Sequence, residues 1–468
     1  MVNKYIDTIT IIKTGLETLP DEPKLPVYRA IALSITRAIN SQFLIEGDKL
    51  PPVRVLADGL FVTPGTITRA YDVLEKDLMI FKRVGDGCYV KKAASQYHYD
   101  FSNTSSTQLS DIDLRLNAHI DIGTRIEFSN ALRKLSLAET FLQDFCNYSP
   151  EMGKFKHRQA GVKWFGFSGV ETQVDNVLIT SGAQHALFIL LATLVKPGGF
   201  VAASKVSYPG LVTASRTLNI KLTGLEYDEE GVVPDSLVSA LKIHPLQLLY
   251  LTPTLDNPTT AIMSDQRREE IAAICQRANI KIISDETLGV ISPEQKLNFS
   301  AIYPEATFVI SSISKVLGPA FRVGFIAAPT SYVQHISAVL KAISWSGDNV
   351  ATEVACHWIL DGTADVHLKK QALEIQKRIT LIKPYLDELG AKYNDFCGHF
   401  WLDLPEPWRA SEFEYEMNKR NILIKTSESF AVGRTEIPQS VRVAICKPSV
   451  SQLENALKTL LEVVKNDL

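Results

Sequence analysis

A lysine and an arginine seven residues apart lie in an apolar stretch in the second half of the chain. The segment "SSISKVLGPAFRVGF", residues 311–325, contains Lys315 after three serines and Arg322 before a further apolar run. Burying an unpaired ammonium group is costly unless it is neutralised or hydrogen-bonded. A lysine held neutral is a nucleophile, and it typically forms a Schiff base with a carbonyl compound. A partly buried structural ion pair would also explain both residues, so this segment alone leaves the two interpretations open.

Backbone amides suited to a phosphate are predicted in the segment "LITSGAQHALFILL". Here Gly182, Ala183 and Gln184 stand where a predicted strand gives way to a helix. The N–H groups at a helix N-terminus bind phosphate well. An ordinary capped turn has the same sequence features, so this segment becomes informative only in combination with others.

Three further residues suit the ring of a planar cofactor. Tyr208 in "VSYPG" can stack on a flat ring, and Asn257 in "LTPTLDNPTT" can bond a phenolic oxygen. Asp285 ends the apolar strand "IKIISDET" and needs a cationic partner there, such as a protonated pyridine nitrogen. Each feature is weak alone. The ordered set, with Lys315 as Schiff-base partner and Ser312 as a phosphate contact, predicts pyridoxal phosphate, whose ring becomes an electron sink when its nitrogen is paired with a carboxylate.

The elements that must position these residues alternate along the chain from about residue 115. Apolar strands are predicted in "NVLITSG", "FVAAS", "LQLLYLTP", "IKIISDE" and "TFVISSIS", with helices such as "AQHALFILLATLV" between them. Apolar strands separated by helices predict an α/β fold with a mostly parallel sheet covered on both faces. Ligands of such sheets bind at the carboxyl ends of the strands, where the residues above lie.

Length, charge and cysteine use limit the classes of protein. The chain has 468 residues, enough for more than one domain, and its formal net charge of −3 does not make the whole molecule a polyanion binder. Its six cysteines are scattered, which favours a reducing compartment and disfavours a disulfide framework or a zinc site. Apolar stretches are too short for a membrane span. We therefore predict a cytoplasmic protein with no metal and no membrane partner.

A difference in charge divides the chain into two regions. Residues 24–92 contain 11 Lys and Arg against 7 Asp and Glu, a net charge of +4, so the remainder carries −7. The polar segment at residues 91–113 has no helical or strand period and is typical of a linker or a surface loop. A basic small domain followed by an acidic large one suggests a nucleic-acid module joined to a second function.

Residues 24–92 have the pattern of two helices, a tight turn and a hairpin. "PPVRVLADGL" predicts the first helix, and Thr63 and Pro64 suit the N-cap and first position of the second, "PGTITRAYDVLEKDL". Such a pair is a helix-turn-helix, and the basic hairpin "FKRVGDGCYV" would be its wing. Each part alone is typical of an ordinary surface element, but the combination predicts binding to duplex DNA. The residues predicted to contact DNA are Arg54, Thr66, Thr68, Arg69, Lys82, Arg83, Gly85 and Gly87.

The stretch "LPPVRVLADGLFVTPGTITRAYDVLEKDLMIFKRVGDGCYV" resembles the winged helix-turn-helix of the GntR family. Pro52, Thr63 and Pro64 depart from the family pattern, and Pro64 replaces the arginine of the recognition helix. This departure bears on the preferred operator and not on the fold. The positions that match the family are Leu50, Pro51, Arg54, Thr66, Ala70, Tyr71, Gly85, Gly87 and Val90.

Residues 116–468 are similar to fold-type I aminotransferases in the order of their motifs: "SGAQ", "YPG", "NPT", an aspartate closing a strand, and "SISK". This resemblance implies that Lys315 is the Schiff-base lysine. It also implies that Arg442 in "SVRVAIC" binds a substrate or effector carboxylate, although a surface strand arginine remains an alternative. The implied cofactor contacts are Asp285 with the pyridine nitrogen, Asn257 with the ring oxygen, Tyr208 stacked on the ring, and Ser312, Arg322 and the Gly182, Ala183 and Gln184 turn with the phosphate.

One residue of that family's site is absent from this sequence. A tyrosine usually follows the aspartate by two or three positions, whereas this chain has Thr287 and Leu288. Tyr148 in "NYSPEMG" is a candidate to supply a phenol from elsewhere in the fold or from a second subunit. Without the usual tyrosine we expect an amine to be captured by aldimine exchange at Lys315, with weak or absent turnover.

The two resemblances together make the chain similar to the MocR-type transcriptional regulators, and they imply a homodimer. Three functions stay open: a pyridoxal-phosphate-dependent regulator that senses an amine or amino-acid effector, an active aminotransferase with a DNA-binding appendage, and a sensor of pyridoxal phosphate itself. Arg442 mildly favours the first, because a sensor of the cofactor leaves it without a carboxylate to bind. The expected domains are an N-terminal extension (1–23), a winged helix-turn-helix (24–92), a linker (93–115) and an aminotransferase-like domain (116–468).

Overall fold

The computed structural model describes residues 5–17, 26–40, 43–44, 47–76, 79–83, 86–90, 111–144, 146–433 and 436–466. The chain folds as two compact units, Met1–Phe101 and Ser102–Leu468. Each unit has its own buried apolar core. Within the described ranges, no helix is long and apolar enough to cross a membrane. The predicted cytoplasmic location stays a prediction.

The small unit contains the predicted helix-turn-helix and wing, which confirms this part of the fold class. Inward-facing residues of the helices, including Ile31, Ile35, Ile67 and Leu74, are fully buried in one core. Leu78 and Gly85 lie outside the described residues. The elements are α1 (Ile6–Glu17), α2 (Val27–Asn40), α3 (Val53–Leu60), α4 (Pro64–Lys76), and the antiparallel strands β1 (Ile80–Arg83) and β2 (Gly87–Val90).

The N-terminal extension predicted for residues 1–23 contains a packed helix. Ile12 of α1 is fully buried, and the Ser34 hydroxyl of α2 donates a 2.7 Å hydrogen bond to the Ile12 carbonyl oxygen. Gly15 of α1 also lies close to α2, since a Cβ added at Gly15 would lie 2.3 Å from the Ser34 Oγ. The β-branched residues of "TITII" have modest helix propensity, so the helix depends on this packing and the sequence alone did not indicate it. Residues 6–17 therefore belong to the core of the small unit.

The turn between α3 and α4 has a phenylalanine in the left-handed backbone region. Phe61 has a φ of 56°, and its side chain is 87 % exposed. Thr63 caps α4 as predicted, because its Oγ1 accepts a 3.3 Å hydrogen bond from the Thr66 amide. The capping contact fixes where the second helix of the motif begins, whereas the left-handed turn costs energy that a glycine would avoid.

The large unit is built on a seven-stranded sheet. Its strands are β4 (Val177–Thr180), β5 (Phe200–Ser204), β6 (Lys221–Leu225), β9 (Leu246–Leu251), β10 (Lys281–Asp285), β11 (Thr307–Ser312) and β12 (Gly324–Ala327). Their order across the sheet is β4-β12-β11-β10-β9-β5-β6. All neighbours are parallel except β12, which runs antiparallel to both β11 and β4. The predicted mostly parallel sheet is confirmed.

Helices cover this sheet, and apolar residues from both element types fill the cores between them. The helices between the strands are α8 (Ala183–Leu194), α9 (Pro209–Thr217), α10 (Pro234–Ile243), α11 (Asp265–Ala278) and α12 (Phe299–Ile302), and a short hairpin β7 (Tyr227–Asp228) and β8 (Gly231–Val232) precedes α10. The remaining helices are α5 (Thr124–Leu135), α6 (Glu139–Asp144), α7 (Phe155–Gly166), α13 (Thr330–Ser344), α14 (Val350–Asp361), α15 (Thr363–Leu389), α16 (Ala410–Lys419) and α17 (Val450–Asn466).

A strand at the start of the large unit corrects the predicted end of the linker. β3 (Ile112–Asp113) pairs in parallel with β14 (Ile422–Leu423), although the linker was predicted to extend to residue 115. Asp113 is 5 % exposed, and its carboxylate accepts a 2.7 Å hydrogen bond from Lys447 Nζ. A two-residue strand has no readable period, so only its distant partner shows it. The large unit also contains a three-stranded sheet. Its strands, in their order across the sheet, are β13 (His399–Asp403), β16 (Ser440–Ala444) and β15 (Lys425–Thr426).

Candidate cofactor site and nucleic-acid interface

The carboxyl ends of five strands that run in the same direction bring the predicted cofactor residues to one edge of the sheet. β4 and β5 are followed by Gly182 and Tyr208, whereas β9 is followed by Asn257. Asp285 is the last residue of β10, and Lys315 lies in the short helical turn directly after β11. Because parallel strands end on the same side, residues far apart in sequence meet there.

Lys315 is half-buried and has no ion-pair partner among the described residues. Its Nζ donates a hydrogen bond to the carbonyl oxygen of Asn117. Burial lowers the pKa of the Lys315 amine to about 8, and the positive charge of Arg442 adds to this effect. The structural ion pair considered for this lysine is therefore not what the fold provides. The neutral amine is the form that attacks a carbonyl carbon, and a lowered pKa increases the neutral fraction.

Asp285 is a buried carboxylate held by two donors. Its side chain is 6 % exposed, its Oδ2 accepts a 2.8 Å hydrogen bond from the Tyr250 hydroxyl, and its Oδ1 accepts a 3.0 Å bond from the Thr287 amide. Burial raises the pKa of Asp285, while both hydrogen bonds oppose that effect. A protonated ring nitrogen beside this carboxylate would supply the missing cation, which is the fit expected of a pyridine cofactor.

The turn before α8 and the guanidinium of Arg322 form a cradle suited to a phosphate. Gly182 has a φ of 93°, and a Cβ added to it would lie 2.9 Å from the Arg322 Nη2. The same Nη2 donates a 3.0 Å hydrogen bond to the Ser181 carbonyl oxygen. Ala183 and Gln184 are the first two residues of α8, so their amides face the helix N-terminus.

Two more side chains complete the cradle. The Ser312 hydroxyl lies 2.9 Å from the Ser314 hydroxyl and donates to the Val323 carbonyl oxygen at 3.0 Å. Gln184 donates through Nε2 to the Gly210 carbonyl oxygen, whereas its Oε1 is buried and finds no partner among the described residues. These residues fit the phosphate group for which the sequence proposed them.

Arg442 and Asn257 form one polar pair beside this site. Arg442 is 6 % exposed, and its Nη1 donates a 2.9 Å hydrogen bond to the Asn257 Oδ1. Its Nη2 donates to the carbonyl oxygen of Arg115, and its Nε is buried without a partner in the described part of the chain. Burial lowers the pKa of Arg442 to about 10. The alternative of a surface strand arginine is excluded, because this guanidinium is buried.

Tyr208 lies with the other predicted cofactor-site residues, whereas Tyr148 of the same chain does not. Tyr208 caps α9, and burial together with the charge of Asp285 raises the pKa of its phenol. Tyr148 is 83 % exposed, and its ring packs on Trp345 with 4.9 Å between centroids. Within this chain the phenol of Tyr148 therefore does not replace the absent tyrosine, and its role in a second subunit's site stays a prediction.

Three residues of the site were missed from the sequence. Tyr250 contacts Asp285, the Asn117 carbonyl contacts Lys315, and His399 bonds both Asn117 and the Pro258 carbonyl oxygen, at 2.9 and 3.1 Å. Tyr250 left a signal, since it is the one side chain with a hydroxyl in the otherwise apolar stretch "LLYL". Asn117 and His399 left none, because their positions depend on β3 and β13.

The predicted DNA-contacting residues of the small unit differ in their exposure and in their ion pairs. Arg54 and Arg69 are exposed, and neither has an ion pair or hydrogen bond among the residues described. Lys82 instead pairs with Asp72 and Glu75 of α4, with Nζ–O distances of 2.6 and 2.7 Å. Thr66 and Thr68 lie in the first turns of α4, Arg83 is 3.8 Å from an Asp86 carboxylate oxygen, and Gly87 has a φ of 139°.

Two protein families match separate parts of the chain. Residues 129–460 match the family described as "Aminotransferase class I and II", and residues 27–90 match "Bacterial regulatory proteins, gntR family". The HTH-type transcriptional regulator YdeF of Bacillus subtilis (strain 168) is 28 % identical over 445 residues, which cover 94 % of this chain and 95 % of that protein. The HTH-type transcriptional regulator NorG of Staphylococcus aureus (strain N315) is 24 % identical, covering 89 % of this chain and 99 % of NorG.

Solved aminotransferases share the fold of the large unit. An archaeal alanine:glyoxylate aminotransferase has a TM-score of 0.71 and 21 % identity, and covers 78 % of this chain and 93 % of its own. The kynurenine aminotransferase of Pyrococcus horikoshii has a TM-score of 0.69 and 20 % identity, and covers 76 % of this chain and 91 % of its own.

The fold and the family matches together define a DNA-binding transcriptional regulator with an aminotransferase-like domain. The chain belongs to the class I and II aminotransferase family, and its gntR domain gives it the architecture of the MocR-type regulators. The cofactor indicated by this family is pyridoxal phosphate, as the sequence predicted.

Proposed function

We propose that this protein regulates transcription by sensing an amine or amino-acid effector at Lys315, with pyridoxal phosphate as cofactor. The observation that carries the proposal is the contact of two cations with one short backbone segment. Lys315 donates to the carbonyl of Asn117, and Arg442 donates to the carbonyl of Arg115. This segment follows the stretch of chain that connects the two units in sequence.

Binding at the site competes with both contacts. When bound, pyridoxal phosphate supplies an aldehyde carbon that reacts reversibly with a lysine amine and with an incoming amine. Lys315 Nζ then has fewer protons to donate to Asn117. Arg442 has a forked guanidinium suited to a carboxylate, so an amino acid draws it away from Arg115. Occupancy of the site is thereby linked to the segment that leads to the DNA-binding unit, and linkage of this kind is reciprocal.

The other residues would hold the cofactor. Asp285 would pair with the ring nitrogen, Tyr208 would pack on the ring, and Asn257 would offer its amide nitrogen to the ring oxygen, since its Oδ1 is engaged by Arg442. Arg322, Ser312, the turn at Gly182 and the amides of Ala183 and Gln184 would bind the phosphate.

The DNA partner is contacted through α3, α4 and the wing. Arg54 and Arg69 bind phosphates, because both are exposed cations, and Thr66 and Thr68 contribute from the start of α4. Lys82, Arg83 and the glycines Gly85 and Gly87 of the wing complete this surface, with Lys82 the weakest because of its two ion pairs. The protein acts as a homodimer, as its likeness to the MocR-type regulators implies.

The test measures DNA affinity as the site is filled. A labelled duplex from the region upstream of the protein's own gene is titrated by fluorescence anisotropy, first without cofactor, then with pyridoxal phosphate, then with a panel of amino acids and the matching decarboxylated amines. We expect cofactor-loaded protein to change its affinity severalfold with an effector, in the range of 5- to 150-fold typical of allosteric coupling. Arg442→Gln should remove the response to amino acids and keep the response to amines.

Other outcomes would favour the two remaining functions. A response to pyridoxal phosphate alone, unaffected by every amine, would make this a sensor of the cofactor. Multiple turnovers with an amino acid and a keto acid would make it an aminotransferase. Unchanged DNA affinity under all conditions would overturn the proposal.

A further inference from the structure

Tyr250 is a buried tyrosine whose hydroxyl points at the carboxylate of the cofactor site. It is 1 % exposed and lies on β9, next to β10, where Ile283 is its parallel partner. Asp285 is two residues further along β10, so both side chains lie near the carboxyl edge of the sheet. The hydroxyl donates to Asp285 Oδ2 at 2.8 Å.

Two hydrogen bonds restrict the orientation of the Asp285 carboxylate. Oδ2 is engaged by the Tyr250 phenol from the neighbouring strand, and Oδ1 by the Thr287 amide from the following turn, at 3.0 Å. The Thr287 amide is a donor that any residue at that position supplies, whereas the phenol is specific to position 250. Charged carboxylates with two donors are stabilised relative to the neutral acid, and in a dry site this stabilisation is larger than in water.

We propose that Tyr250 is a positioning residue that orients Asp285 and keeps it ionised for the ring nitrogen of the cofactor. This inference rests on the proposed function, since it assumes that the cofactor binds with its nitrogen at Asp285. The phenol does not replace the tyrosine absent after Asp285. Its proton is committed to the carboxylate, so it supports the nitrogen side of the ring and leaves the ring oxygen to Asn257.

The experiment compares two ligands that differ only at the ring nitrogen. Pyridoxal phosphate and its carbocyclic analogue, in which a C–H replaces that nitrogen, are titrated by absorbance into wild-type protein and Tyr250→Phe. The variant keeps the ring that packs in the core and loses one oxygen. We expect its affinity for pyridoxal phosphate to fall about tenfold or more, as for loss of a hydrogen bond to a charged group, and its affinity for the analogue to stay within about twofold.

Two controls separate positioning from packing. Tyr303 is also buried, at 4 % exposure, and makes no described contact with Asp285, so Tyr303→Phe should leave both affinities unchanged. In an Asp285→Asn background, adding Tyr250→Phe should have no further effect on the affinity for pyridoxal phosphate, because the carboxylate through which the phenol acts is gone.

The possible results are distinct. Equal losses for both ligands, or no loss for either, would overturn the role of Tyr250 while the cofactor assignment stands. Failure of wild-type protein to bind pyridoxal phosphate would overturn the proposed function and this inference with it. If Tyr250→Phe does not fold, Tyr250→Leu, which also lacks the donor, is compared with wild type on the same two ligands, and an equal change of affinity for both would overturn the role of Tyr250.

Discussion

The candidate cofactor site and the predicted DNA-contacting surface of this protein are built in different ways. The cofactor site gathers residues from Arg115 to Arg442, buries most of them, and relies on the parallel sheet to bring them together. The residues predicted to contact DNA all lie between Arg54 and Gly87 on one short motif, and of those that the structure describes none is buried. A buried, long-range site should respond sharply to single changes, whereas an exposed, local one should respond gradually.

The largest effect is expected at Lys315. Lys315→Ala should abolish the covalent adduct with pyridoxal phosphate that mass spectrometry detects after borohydride reduction, because no second amine occupies that position. The exposed Lys341→Ala serves as control and should keep the adduct. An adduct that maps to another lysine would break the comparison, since the buried site would then lack its central residue.

The lowered pKa of Lys315 predicts how adduct formation depends on pH. The pKa of the Lys315 amine is lowered to about 8, against 10.5 for an ordinary lysine. The neutral, nucleophilic fraction of the amine therefore rises as the pH passes through about 8, and the initial rate of adduct formation in cofactor-free protein should rise over the same range. Rates that increase only near pH 10 would show that the interior does not depress this pKa.

Turnover is the next largest effect. Because Thr287 and Leu288 replace the usual tyrosine, steady-state assays with amino acids and a keto acid should give rates well below the enzyme range of about 1 to 10³ per second. Turnover within that range would show that the site processes ligands and does not only capture them.

The DNA surface should lose affinity in proportion to the charge removed. Arg54→Ala combined with Arg69→Ala should weaken binding to duplex DNA and make the log–log dependence on salt shallower by about 2, one unit for each lost phosphate contact. Two exposed lysines of the large unit, changed together as Lys196→Ala and Lys242→Ala, remove the same charge and should leave the slope unchanged. Equal effects from both pairs would mean that the DNA surface is not confined to the small unit.

Alanine variants of two glycines test how closely the phosphate cradle is packed. Gly182→Ala places a Cβ 2.9 Å from Arg322 Nη2 on a backbone with a φ of 93°, so it should weaken cofactor binding. Gly198 has a similar φ of 80° but no atom within 4 Å of an added Cβ. Both alanines should cost about 1 kcal/mol of stability from backbone strain, and only Gly182→Ala should change the cofactor affinity.

The smallest effect is expected at the turn of the DNA-binding motif. Phe61→Gly should raise the unfolding free energy of the small unit by about 1 kcal/mol, because glycine adopts the left-handed conformation without steric cost and the side chain is 87 % exposed. Phe43 is also exposed, but its φ is not positive, and Phe43→Gly should not stabilise the unit. Thermal unfolding of the two variants compares them directly.

Local features of the fold were predictable from the sequence, because they depend on neighbouring residues. The cap at Thr63, the periodic apolar face of α4 and the apolar strands that end at Thr180 and Asp285 each have a short-range pattern. Composition and motif order sufficed to divide the chain into a basic and an acidic region and to propose cofactor residues from Gly182 to Arg322, with Arg442 as an effector contact. These residue roles stay predictions.

Features that depend on distant pairing were decided only by the tertiary structure. Helix α1 forms from residues of modest helix propensity because Ile12 is buried against α2, and strand β3 exists because β14 pairs with it. The partners of the charged residues belong to the same class: Lys82 with Asp72, Lys315 with the Asn117 carbonyl, and Asp285 with Tyr250. A sequence names the side chains that carry charge, whereas burial and proximity, which set their pKa values and partners, arise only when the sheet brings its strands together.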